Sequence, residues 1–155
     1  MHGMRAALLF FLLGCTACVA AQSPDGAHAA FLAALQRVQD QQPDLPDPPA
    51  LRNDLLYDYL LAARLRRDLQ ATPGEALDTR IDAFIEERAG LPVVRAVRRE
   101  WLISLGTRGR WDWFLPRTTD ATDPVLSCLR LAGRLASGDT ATLAADVLAR
   151  WRLAQ

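Results

Sequence analysis

In YDYLLAARLRRDL, residues 57–69, apolar positions fall on two sides of a helical wheel. Leu61, Leu65 and Leu69 form one row at i, i+4 and i+8, with Tyr57 above them. Leu56, Tyr59, Leu60 and Ala63 form a second stripe. A surface helix needs one apolar stripe. The spacing therefore predicts a helix over residues 54–69 with neighbours on two sides. Arg64, Arg66 and Arg67 gather toward its end, where cations complement the helix dipole.

The helical period continues along the chain. Phe31, Leu32, Leu35 and Val38 share a face in residues 23–42, with Ser23 or Asp25 as the cap. PDLPDPPA, residues 43–50, cannot be helix interior and reads as a linker or a wrapped extended segment. Leu77, Ile81, Phe84 and Ile85 then share a face, closed by Gly90. Val93 or Val94, Val97, Trp101, Leu102 and Leu105 share the next, with Pro92 in its first turn. RGRWDWFLP allows only a turn or two before Pro116 stops it. Residues 124–137, capped by Asp123, and residues 140–153, capped by Asp139 or Thr140, form a hairpin across SGD. No stretch alternates like a strand. Short helices are marginal alone, and several here carry apolar residues on more than one side. The predicted fold is all-α, an α-solenoid or superhelical stack of short helix hairpins without a strict repeat.

The first 21 residues do not belong to that pattern. Arg5 precedes the apolar run AALLFFLLG, and small residues follow. The run is too short to span a bilayer and reads as an export signal. Cleavage after Ala21 is preferred, giving a periplasmic protein. LLGC at residues 12–15 is the alternative: a lipoprotein signal of 14 residues, with Cys15 lipidated at the outer membrane. The expected organisation is thus a signal (1–21), an N-terminal helix with a proline-rich linker (22–50) and a partial superhelical domain (51–155).

Composition removes several functions. Eighteen acids balance eighteen bases in 155 residues, so no charge excess points to nucleic acid or an anionic membrane. All the bases are arginine, which we read as coding bias. Only His28 and Cys128 would survive processing as soft ligands, so no metal site is expected, and no glycine loop suits a phosphate or nucleotide cofactor. The apolar helix around Cys128 predicts a buried, slowly reacting orphan thiol. Trp101 and Trp151 read as core. Trp111 and Trp113, flanking Asp112, are the candidates for stacking on a sugar ring, against a packing role that large aromatics more often fill.

Three stretches carry a resemblance: LLYDYLLAARLRRDL, IDAFIEERAGLPVVRAVRREWLISLGTRGRWDWFL and LSCLRLAGRLASGD. In order and spacing they resemble the N-terminal superhelical region of soluble lytic murein transglycosylases, over roughly residues 50–155. The resemblance implies exported peptidoglycan turnover, in which the MurNAc–GlcNAc bond is cleaved without water to a 1,6-anhydro end. The family's catalytic glutamate sits in a lysozyme-like domain, typically in a Glu-Ser dipeptide. This sequence has no Glu-Ser, so none of its glutamates is assigned a catalytic role and no catalytic residue is expected. The family can also bridge the cysteine at position 128 to one further along, which this sequence does not contain. The expectation is a truncated helical scaffold portion that reaches peptidoglycan through a full-length enzyme. The alternative is a free-standing periplasmic helical-repeat adaptor for a protein partner. Leu143, Val147, Leu148, Trp151 and Leu153 spread over more than one side of the last helix, so self-association through the C-terminal edge is expected.

Overall fold

The computed structural model describes residues 24–153, and the export-signal and Cys15 readings lie outside them. Among the described residues the chain is all-α. Its helices are α1 (Pro24–Gln39), α2 (Pro49–Arg52), α3 (Tyr57–Ala71), α4 (Glu75–Glu87), α5 (Pro92–Thr107), α6 (Trp111–Phe114), α7 (Pro124–Ala136) and α8 (Leu143–Leu153), with a 3₁₀ turn at Leu115–Arg117 after α6. None is long and apolar enough to cross a membrane.

Local chemistry sets most of the boundaries. Proline stands in the first turn of α5 and α7, where its missing N–H costs nothing. Asp123 caps α7, accepting from the Val125 and Leu126 amides at 2.8 and 3.2 Å. Gly109 (φ +70°) and Gly138 (φ +77°) follow α5 and α7 in the left-handed conformation that ends helices. The opening of α3 departs from the pattern. Asp54 accepts from the Leu56 amide at 2.7 Å and closes a turn, so the helix begins at Tyr57. Leu55 and Leu56 are left exposed ahead of it.

The two-sided pattern of α3 matches two apolar clusters. Leu60, with Tyr57 and Ala63, packs on Phe31 and Val38 of α1 and Leu51 of α2. Ala62, Leu65 and Leu69, with Leu61, face the larger cluster formed with α4, α5, α6 and α7. Tyr57 therefore belongs to the α1 side, and Tyr59 faces water. Helix α5 is the centre of the larger cluster. Val94, Val97, Trp101, Leu102 and Leu105 are all buried, against α3, α4 and α7. Deep burial of so many large side chains on one helix is the main source of stability for a chain of short helices.

The proline-rich segment is wrapped. Residues 43–48 run back along α1 and α3 as an extended strap. Arg37 donates to the Pro43 carbonyl at 2.8 Å, and the arginines of α3 hold the strap's two acids.

At the other end two expectations are corrected. Cys128 is exposed, not buried. The inward face of α7 is Leu126, half-buried Leu129 and Arg130, and Gly133; Cys128 lies on the opposite face with Val125, Ala132 and Leu135. The helix is apolar on both faces, and only one finds a neighbour. Trp151 is also exposed, at 67%, because α8 packs on α7 alone among its larger contacts.

Candidate functional site

Three polar constellations stand out. The first fastens the strap. The Arg64 guanidinium takes Asp47 in a forked contact, Nη1 to Oδ2 at 2.7 Å and Nη2 to Oδ1 at 2.8 Å. Tyr57 donates its hydroxyl to the same carboxylate at 2.8 Å. Arg67 holds Asp44 in the same way at 3.0 and 2.9 Å, and donates to Asp68 on its own helix. Arg64 Nε lies 3.1 Å from Asp44 Oδ1 but lacks the angle of a hydrogen bond. Hydrogen bonding to Arg64 holds the Asp47 carboxyl below the ordinary aspartate value of 3.8, and Arg67 does the same for Asp44. Burial, reinforced by the bond to Asp47, raises Tyr57. The arginines at the end of α3 thus hold a segment distant in sequence, besides complementing their helix dipole.

The second constellation lies under the tryptophans. Asp78 of α4 is fully buried and accepts from Trp101 Nε1 at 2.9 Å and from Arg108 at 2.7 and 3.2 Å. A buried carboxylate persists only when its oxygens are occupied in this way. Beside it, Trp113 meets Trp101 edge-on at 6.1 Å, and Arg117 lies over the Trp113 ring at 4.8 Å while binding Asp82. Trp111 meets Phe114 edge-on at 5.8 Å and packs its benzo edge against Gly133. Both candidate stacking residues are half-buried and engaged in inter-helix packing. One face of the Trp113 ring is already taken by a guanidinium. The arrangement serves to lock α6 between α5 and α7.

The third is a cleft of about 600 Å³ between α5 and residues 116–123. Arg95, Arg98, Arg99 and Arg117 line it against Asp120 and Asp123. Arg99 binds Asp123 at 2.7 Å, and Arg98 donates to the Arg117 carbonyl at 3.2 Å. Sequence reading passed over these arginines. The signal was Arg95, Arg98 and Arg99 at i, i+3 and i+4, one side of a helix whose other side is apolar.

No group of three or more histidines, cysteines or acids among the described residues is arranged to hold a metal ion. No protein-family model, curated protein or solved structure matches the chain.

Proposed function

We propose that this chain is the non-catalytic helical scaffold portion of a periplasmic lytic murein transglycosylase, acting in peptidoglycan turnover. The carrying observation joins sequence and packing. The three stretches that resemble the family's superhelical region form α3, the run from α4 through α6, and α7, and all contribute to one apolar cluster. Odd-numbered helices pack in succession, α1 on α3, α3 on α5 and α5 on α7, which supports a superhelical stack. In this reading the scaffold presents a helical surface, and glycosidic cleavage belongs to a separate lysozyme-like domain.

The test is incubation of the pure full chain with murein sacculi, followed by product analysis. No anhydromuropeptides are expected, because cleavage needs a carboxyl with a raised pKa in a glycan cleft. Anhydro products would overturn the non-catalytic assignment. Fusing residues 1–21 to a reporter active only outside the cytoplasm tests export; an inactive fusion would remove the periplasmic reading.

A second reading, a periplasmic adaptor for a protein partner, is favoured by one feature. Val125 and Leu135 of α7 and Val147, Leu148 and Trp151 of α8 are all exposed. Light scattering coupled to size exclusion separates the cases. Concentration-dependent dimers would favour self-association through this edge, and a stable monomer would leave the face free for a partner.

A further inference from the structure

We propose that the cleft between α5 and residues 116–123 binds the C-terminal carboxylate of a short peptide bearing a small aliphatic side chain. This inference is independent of the transglycosylase reading.

Most guanidinium groups of this fold are already engaged. Arg64, Arg66, Arg67, Arg80, Arg88, Arg99, Arg108, Arg110, Arg117 and Arg134 each lie against a carboxylate. Arg95 and Arg98 stand outside that set, as do Arg37, Arg52 and Arg130, but of these only Arg95 and Arg98 line the cleft; among the described residues neither has a carboxylate partner, and Arg98 is steadied there by the Arg117 carbonyl. One helical turn apart on α5, they reach the same side of the cleft. A guanidinium fork matches a carboxylate through two parallel N–H···O bonds, which favours this anion over a halide or a lone hydroxyl.

The remaining lining sets the rest of the ligand. Pro116 and the rims of Leu102 and Leu126 make an apolar floor beside the arginines. On the facing loop Asp120 has no arginine partner among the described residues, and its carboxylate is an acceptor suited to a peptide N–H. Carboxylate, small aliphatic group and N–H acceptor together describe the end of a peptide. A volume near 600 Å³ accommodates two or three residues. The positive wall is held rigid from behind. Arg99 is fixed to Asp123, which is itself fixed as the cap of α7, and Arg117 to Asp82. The loop is thereby tied to α5, and the cleft needs little ordering when a ligand enters.

Amide-resolved NMR titration of the full chain tests this, with N-acetyl-alanyl-alanine as probe and its C-terminal amide, acetate and inorganic phosphate as comparisons. The acid is expected to shift the amides of residues 95–102 and 116–126 saturably, and the C-terminal amide to bind about tenfold or more weakly. Arg95→Gln with Arg98→Gln should remove binding. Both side chains are exposed and make no ion pair, so the fold should survive, as the unshifted remainder of the spectrum will report. Arg95→Lys with Arg98→Lys should keep the charge and lose most of the affinity. No saturable shift with the acid, equal binding of the amide, or acetate and phosphate binding as tightly as the dipeptide would each overturn the proposal.

Discussion

Arg64 and Asp47 face one another across 17 residues of sequence, joined by two hydrogen bonds and nearly closed to water, with side-chain exposures of 10% and 12%. This contact fastens the strap of residues 43–48 over the junction of α1 and α3. Removing one partner of such a pair leaves the other charge buried and alone. Asp47→Ala should therefore lower stability by about 2 kcal/mol, less than a fully buried pair would lose because the strap's outer edge is wet. Urea unfolding followed by circular dichroism checks this. An unchanged midpoint would mean that the strap contributes nothing.

The same contact sets a pH dependence. Asp44 and Asp47 titrate below their unfolded value of 3.8. A depressed carboxylate stabilises the fold fully above its unfolded pKa and loses that contribution as pH falls through the folded pKa. The stability gap between the native chain and Asp44→Asn with Asp47→Asn should be constant near neutrality and close only below pH 3.8. Denaturation midpoints at pH 7, 5, 4 and 3 test it; a gap that closes between pH 7 and 5 would contradict the assignment.

Asp78 connects α4 to α5 at full burial. Its replacement by alanine strands Trp101 Nε1 in the core and releases Arg108. A loss of about 3–5 kcal/mol is expected. Trp101→Phe should cost less at this bond, because Arg108 still occupies Asp78. The order of the two midpoints, after allowing for the smaller Phe ring, is the readout.

Gly133 reverses the usual helix rule. An alanine in a helix normally gains about 1 kcal/mol over glycine. A Cβ at position 133 would lie 2.7 Å from the Trp111 ring and 3.1 Å from a Leu115 methyl. Trp111 is wedged against Phe114 and cannot move aside cheaply. Gly133→Ala should destabilise the fold and alter tryptophan fluorescence, whereas Gly90→Ala, with nothing within 4 Å of its Cβ position, should not.

Cys128 should react with a thiol reagent in the folded protein at a rate close to that of the urea-unfolded chain, since its side of α7 is open. Strong native protection would indicate that another surface covers this face, as the stripe of Val125, Ala132 and Leu135 invites.

The all-α class was legible because the 3.6-residue period needs only local spacing, as in Leu77, Ile81 and Phe84 or in Val97, Trp101 and Leu105. The two apolar sides of α3 were legible for the same reason. Periodicity counts faces, however, without saying which will be covered. On α7 it marked Cys128 as apolar surroundings, and only the packing of α5 and α6 decided that Leu126 and Gly133 turn inward and Cys128 outward. The strap shows the same limit for charge. PDLPD and RLRR stand as separate acidic and basic runs in the chain. Their pairing depends on the turn at Asp54, which carries the chain from strap to α3 and aims Arg64 and Arg67 at Asp47 and Asp44. Local spacing dictates backbone conformation because neighbouring residues share a turn. Ion pairs, aromatic wedges and clefts join residues tens of positions apart, and those distances exist only once the helices have packed.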